Sequence, residues 1–480
     1  MKKCAAIAAA LALALPLCAC SGFNPRVEEL IRPPKLTEEQ TAIEEALLGS
    51  AISGHITFKY PKSGDYRSAF VFHDIDGDGQ EEALVFYAAP DLSDYARISL
   101  LDRQGDQWVA MKELAGADQD VEFVSFASVT RPGRADILVG WSSPDQEGKQ
   151  LGVYTFRAGE LEELYSGAYE SYLVEDLGED GLDDIFLLGR DNGDPTLSMV
   201  SWDGYSLSRM SRRTLSGRTS QFAGLTAGRL TTGDTQKGVF VDELLASGRL
   251  ATEVFTIENG ELFPVISYDM QSDEALLEEA KAQAAGPEEE VSADQPDYES
   301  PTLYALTQRA NVAPGRDESP FPVCVDVNGD GIVEIPSNQL MPGHRNLDEN
   351  DQLYLTRYNQ LKGRSLTLIY AAAINREAGY RVIFPERWIG NVSIVSRRED
   401  NEWRFVAFDQ SLDQSKELAR IRVVSQKDYQ DKFLSDYQVF GERGMFIYYG
   451  YVPPVDPESL EVRSPLAIEL GELKSLFALL

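Results

Sequence analysis

The sequence predicts a mainly-β fold, a sandwich or a propeller, followed by a small α+β module at the C-terminal end. Three observations carry this. Short apolar or alternating runs succeed one another from about residue 55, each broken by Gly, Asp or Asn, as strands and turns are. An acidic, glycine-bearing loop recurs at anchors near 74, 128, 176, 228 and 326, those at 128 and 228 decayed, with the first three intervals near 50 residues and the last about 98. Charge is also uneven: residues 1–360 hold 28 basic and 61 acidic residues, whereas 361–480 hold 16 and 17.

The elements follow in order. Residues 1–19 begin Met1-Lys2-Lys3 and continue as an alanine-rich apolar run, the pattern of an export signal and too short to span a bilayer. The run ends Leu17-Cys18-Ala19-Cys20-Ser21-Gly22. Small residues before a cysteine resemble the bacterial lipobox, which makes Cys20 the expected lipidated residue and the chain an exported, membrane-anchored protein on the extracytoplasmic face. Residues 20–36 read as a tether. Thr37 and Gln40 then form a capping box that opens a short helix within 37–50, with Ile43, Ala46, Leu47 and Leu48 on its apolar side.

Residues 51–375 form the β region. Strands are expected over 55–60, 69–73, 83–88, 97–101, 108–113, 121–127, 136–141, 151–156, 171–175, 184–188, 197–202, 239–243 and 252–257. Residues 269–300 interrupt it with eleven acidic residues and one lysine, a solvated insertion. Residues 376–480 form the α+β module, with strands at 380–384, 392–396, 403–407, 418–424 and 445–451 and helices near 426–438 and 466–478. Its aromatics Trp388, Trp403, Tyr448, Tyr449 and Tyr451 are expected to pack as core rather than line a groove.

The chemistry lies in the loops. His73-Asp74-Ile75-Asp76-Gly77-Asp78-Gly79-Gln80-Glu81-Glu82 recurs as Val325-Asp326-Val327-Asn328-Gly329-Asp330-Gly331-Ile332-Val333-Glu334. Oxygen donors at alternate positions of a tight loop converge on one hard cation, and calcium suits an all-oxygen set. The expected ligands are Asp74, Asp76, Asp78, the Gln80 carbonyl and Glu82, and Asp326, Asn328, Asp330, the Ile332 carbonyl and Glu334. A worn copy carries Asp176, Asp180 and Asp184, but Gly178 leaves its third position without an oxygen side chain. An EF-hand needs glutamate at position twelve, where these loops have Val85 and Ser337.

This nine-residue spacing, with an apolar strand on each side, resembles the FG-GAP or VCBS repeat found in integrin alpha chains and bacterial surface proteins. The resemblance covers roughly residues 55–375. It implies an FG-GAP-type β-propeller of about five to seven blades, some degenerate, with structural calcium in its loops.

Function is bounded mainly by exclusion. The net charge of −34 disfavours nucleic acid and anionic lipid as direct partners. Three histidines leave little room for histidine chemistry, and no common nucleophile, zinc or phosphate-loop motif stands outside the signal segment. Cys324 sits in an apolar run and reads as a buried structural thiol. The expected role is a non-catalytic binding or scaffold module for a surface protein or a glycan. The alternative is a polysaccharide-active or other hydrolase, because paired carboxylates can lie far apart in sequence.

Overall fold

Thr37 starts the first helix with a reciprocal cap. Its N–H donates to Gln40 Oε1 at 3.0 Å, and Gln40 N–H donates back to Thr37 Oγ1 at 3.1 Å. The computed structural model describes residues 36–50, 55–144, 148–215, 218–233, 235–246, 249–267, 316–317, 323–362, 365–426, 436–454 and 464–480. The expected signal segment, Cys20, nearly all of the tether and the acidic insertion at 269–300 lie outside the described residues.

Helix α1 (Glu38–Ser50) is followed by six antiparallel sheets. The first holds β1 (Thr57–Phe58), β2 (Phe70–His73), β3 (Glu82–Ala88), β4 (Ala96–Gln104) and β5 (Gln107–Ala115). The second is the meander β6 (Asp120–Ala127), β7 (Asp136–Ser142), β8 (Lys149–Arg157) and β9 (Glu160–Tyr169). The third repeats it as β10 (Ser171–Glu175), β11 (Asp184–Asp191), β12 (Asp194–Trp202) and β13 (Leu207–Thr214). The fourth holds β14 (Thr219–Arg229), β15 (Lys237–Leu245), β16 (Arg249–Glu258) and β17 (Glu261–Ile266), with β18 (Arg316–Asp317) paired to the start of β16.

The fifth sheet holds β19 (Ile335–Leu340), β20 (Tyr354–Lys362), β21 (Ser365–Asn375) and β22 (Tyr380–Ile383). The sixth holds β23 (Val392–Arg397), β24 (Glu402–Asp409), β25 (Ser411–Ser425), β26 (Gln438–Arg443) and β27 (Phe446–Tyr451). Helix α2 (Leu470–Leu476) then leads into β28 (Phe477–Leu479), which returns to pair with β22 in the fifth sheet.

The sheets pack face to face in chain order. Leu84, Phe86 and Ile98 of the first meet Val139, Trp141 and Tyr154 of the second. Phe123, Leu138 and Val153 of the second meet Ile185, Leu187 and Val200 of the third. Phe186 and Leu197 meet Val239 and Phe255 across the third and fourth. Phe240 and Val254 of the fourth meet Ile335 of the fifth, with Val333 beside it. Leu355, Tyr380 and Val382 meet Phe405, Ile421 and Tyr448 across the last two. Strands such as β3 and β7 are therefore apolar on both faces.

The first sheet is capped differently. Its face opposite the second sheet, carrying Phe70, Ala83, Val85 and Tyr87, is covered by Ile43 and Leu47 of α1. A closed ring would give that face to the last sheet. The mainly-β expectation therefore holds, while the described contacts form a row of sheets ended by a helix. Leu48, expected on the apolar side of α1, is exposed.

The described residues of the C-terminal region hold less helix than expected. The residue 375/376 junction falls between β21 and β22, which pair in one sheet. The described residues of this region are mainly β, with one α-helix of seven residues and two three-residue 3-10 helices, Glu386–Trp388 and Arg398–Asp400. The helix expected over 466–478 is confined to α2, because Phe477, Ala478 and Leu479 are drawn into the ladder of β22. Residue 438, the end of the other expected helix, begins β26, and 427–435 lie outside the described residues. Trp388, Trp403, Tyr448 and Tyr449 are buried as expected, and Tyr451 is half-buried.

Close packing of side chains within the second sheet makes Gly140 critical. A Cβ on Gly140 would lie 2.4 Å from the Phe123 ring and 2.5 Å from Tyr169 Oη. Gly140→Val is expected to destabilise the fold by about 1–3 kcal/mol through overpacking. Urea denaturation checks this, and an unchanged midpoint would refute the tight contact.

Candidate functional site

The acidic loops share one position in the fold, four of them connecting two paired strands and the last closed by an isolated antiparallel bridge. The closing pairs are His73↔Glu82, Ala127↔Asp136, Glu175↔Asp184, Arg229↔Lys237 and Val325↔Glu334. The loops at 128 and 228, which resemble decayed copies in sequence, thus occupy the same place as the intact ones.

Three loops are built on one hydrogen-bond frame. At position one, Asp74 accepts the Gly77 and Gly79 N–H groups at 2.8 and 3.0 Å. Asp326 accepts those of Gly329 and Gly331, both at 2.7 Å. Asp176 accepts those of Asp180 and Gly181 at 3.1 and 2.9 Å. At position five, Asp78, Asp330 and Asp180 accept the N–H two residues on, from Gln80, Ile332 and Leu182, at 2.7, 2.8 and 2.9 Å. Gly77, Gly79, Gly329 and Gly331 have φ between 77 and 87°, a region glycine enters without steric cost.

The ninth position separates the loops. Glu82 Oε2 accepts the Ile75 and Asp76 N–H groups at 2.7 and 3.3 Å, and Glu334 Oε2 accepts that of Val327 at 2.8 Å. Both side chains turn inward, with Glu82 1% and Glu334 0% exposed. Oxygens of Asp74, Asp76 and Glu82 lie within 4.8 Å of one another, as do those of Asp326, Asp330 and Glu334. Burial pushes the Glu82 and Glu334 carboxyls up, and the neighbouring aspartates add to this, although backbone N–H donors oppose it.

The remaining expected ligands differ in role. Asp78 gives its second oxygen to Gln80 Nε2 at 3.3 Å and lies outside the first trio. Asn328 Oδ1 accepts the Asp330 N–H at 3.0 Å, and its Nδ2 donates to Asp330 Oδ2 at 3.1 Å. Gln80 and Ile332 place their N–H groups on the position-five aspartates.

The worn loop has no such trio. Asp184, one carbon shorter than glutamate, accepts the Ser201 hydroxyl at 2.5 Å. Burial raises its carboxyl to about 6, and Asp180, Asp176 and Asp183 contribute. Lys237 reaches across from the fourth sheet and donates to Glu175 Oε1 at 2.5 Å and the Asp176 carbonyl at 3.1 Å. A protein cation is thus already seated beside this loop.

Neighbouring loops are joined sideways. The His73 ring stacks on Phe126 at 3.8 Å, linking the first two sheets. Ser128 N–H donates to Asp183 Oδ2 at 2.7 Å, linking the second and third. Lys237 links the third and fourth. Arg229 N–H donates to the Gly331 carbonyl at 3.1 Å and its guanidinium donates to the Asp330 carbonyl, linking the fourth and fifth.

Two features escaped sequence reasoning. Gln360 on β20 donates to Asp330 Oδ2 at 2.9 Å and Glu334 Oε1 at 2.8 Å, so it orders the last loop from another strand. No spacing rule points to a residue 30 positions away. Asp242, Glu243 and Glu253 are buried in the fourth sheet. Their signal was acidic residues inside the apolar runs Val-Phe-Val-Asp-Glu-Leu-Leu and Ala-Thr-Glu-Val-Phe. Cys324 is the buried thiol expected, its Sγ donating to Asp242 Oδ1 at 3.3 Å.

No protein-family model matches the chain, and no curated protein matches it. Among solved structures it is similar to Sqt1 of Saccharomyces cerevisiae, at 11% identity over 69% of this chain and 82% of that one, with a TM-score of 0.29. It is similar to a hypothetical protein of Leishmania major, at 13% identity over 45% and 72%, with a TM-score of 0.20. It is also similar to the exotype rhamnogalacturonan lyase YesX, at 13% identity over 72% and 63%, with a TM-score of 0.25. Likenesses this distant assign no family and no activity, and the chain stands as a mainly-β protein whose described residues form six antiparallel sheets.

Proposed function

We propose that this chain is a lipid-anchored extracytoplasmic protein acting as a non-catalytic binding or scaffold module for a surface protein or a glycan. In this reading its loop-bearing sheets are FG-GAP-type blades, and loops 74–82 and 326–334 hold structural calcium. The observation that carries the calcium assignment is the shared frame that brings two aspartates and an inward-turned glutamate within 4.8 Å in each loop. Hard oxygen donors on a tight, glycine-bent loop fit calcium. Loop 176–184 is excluded, because Ser201 engages Asp184 and Lys237 already brings a positive charge.

Calorimetric titration of the purified protein tests the ion assignment. Two calcium ions per chain are expected, and the Asp74→Ala and Asp326→Ala variants should each lose one. An unchanged stoichiometry in the double variant would sink it.

Buried glutamates are poor candidates for the hydrolase reading. Glu243 and Glu253 are buried on adjacent strands of the fourth sheet. A glycosidase instead holds two acids roughly 5–10 Å apart across a groove. Incubating the calcium-loaded protein with cell-envelope polysaccharides separates the readings: retention without new reducing ends fits a binder, and release of reducing ends selects the hydrolase.

The anchor rests on Cys20 and its flanking residues. Cys20→Ala should move the protein from the membrane to the soluble fraction. Continued membrane retention after a high-salt wash would exclude the lipid anchor.

A further inference from the structure

We propose that Gln360 is a positioning residue for the calcium of loop 326–334, and that through it this ion, unlike the one in loop 74–82, is coupled to the fifth sheet. This role rests on the calcium reading of both loops and is what makes them unequal.

Register puts Gln360 in place. The β19–β20 ladder starts at Ile335↔Asn359, so one further step sets Gln360 opposite Glu334, the ninth position of the loop. Gln360 is 5% exposed, and its Nε2 donates to Asp330 Oδ2 at 2.9 Å and to Glu334 Oε1 at 2.8 Å. Only the nitrogen of the amide can donate, so two carboxylates select that end of it. One donor thus spans two of the three carboxylates that converge in this loop.

The same step in other sheets carries other chemistry. Past Ile185↔Val200 it reaches Ser201, whose hydroxyl donates to Asp184 at 2.5 Å in the worn loop. Past Ala83↔Leu101 it reaches Asp102, opposite Glu82, and an ionised carboxylate donates nothing. Among the described residues, the hydrogen-bond donors to Asp74, Asp76, Asp78 and Glu82 all come from within loop 74–82. The first loop is therefore self-contained, whereas the second is braced from a neighbouring strand.

That brace favours the ion. A carboxylate has about four acceptor sites, so Asp330 and Glu334 can hold the amide and still face a cation. Fixing both before the ion arrives removes part of the ordering cost, and donors behind metal ligands typically carry about 10–100-fold in affinity. From the other side, Arg229 N–H donates to the Gly331 carbonyl at 3.1 Å and its guanidinium to the Asp330 carbonyl. The fourth sheet thus grips this loop by its backbone and the fifth by its ligands.

The experiment is calorimetric calcium titration of the full chain beside Gln360→Met, which keeps a buried stem and removes the donor. The site abolished by Asp326→Ala should weaken about 10–100-fold in Gln360→Met, and the site abolished by Asp74→Ala should keep its affinity. An unchanged second site would overturn the proposal, as would a tighter one, which would make Gln360 a competitor of the ion. A wild type that binds no calcium would instead overturn the calcium reading, and this role with it. Amide exchange keeps the test decisive if Gln360→Met does not fold. Calcium should slow exchange over β20 in the wild type and in Asp74→Ala but not in Asp326→Ala. The same response of β20 in all three chains would equally overturn the coupling.

Discussion

Saturating calcium is expected to stabilise the folded chain by about 2.7 kcal/mol per occupied loop, once the free ion stands a hundredfold above its dissociation constant. Two loops would give roughly 5 kcal/mol by the same relation. The gain reflects ion binding to the folded state alone, since residues such as Asp74 and Glu82 converge only when the strands on either side are paired. Thermal melts from chelated to saturating calcium check this. Asp74→Ala and Asp326→Ala should each remove about half of the gain, and the double variant should melt alike with and without calcium. A full calcium response in the double variant would place the ions elsewhere. Magnesium should be the weaker stabiliser, because it demands a tighter octahedron and dehydrates reluctantly.

The second large effect belongs to Trp388. Its side chain is fully buried between the last two sheets, its ring stacked with Phe405 at 5.6 Å and edge-on to Phe384 at 5.5 Å. Its Nε1–H donates to the Leu466 carbonyl at 2.8 Å. Trp388→Ala leaves a cavity and strands that carbonyl, an expected loss of about 3–5 kcal/mol. Hydrogen exchange should show lost protection in the fifth and sixth sheets, with the first three retaining theirs. Uniform loss across all six sheets would mean that the row unfolds as a single unit.

The sequence made some of this legible and hid other parts for physical reasons. Strands buried on both faces, such as β3 and β7, announce themselves as apolar runs between turn residues. Strands β9 and β13 do not. They are the outer strands of their sheets, and Glu-Leu-Glu-Glu and Ser-Arg-Arg belong to edges that meet water. The loops were readable because their ligand spacing is local, within nine residues. Gln360, Lys237 and Arg229 were not, since each reaches its loop from another strand. The helical cap on the first sheet was legible as a helix but not as the end of a row, because its apolar positions do not say which surface they cover.

That row has a consequence for how the chain is made. A ring of sheets cannot complete its core until its last strand has been synthesised. Here α1 and the first sheet can settle as soon as residue 115 has emerged, and the second, third and fourth can each dock on a surface already in place. Loops stay short within each meander, which lowers the entropic barrier to folding. The fifth sheet is the exception. Its edge strand β28 follows the whole sixth sheet in chain order, so this sheet stays incomplete until residue 479 has emerged. Arrest of synthesis before residue 470 should therefore leave four protease-resistant sheets joined to an unfinished tail.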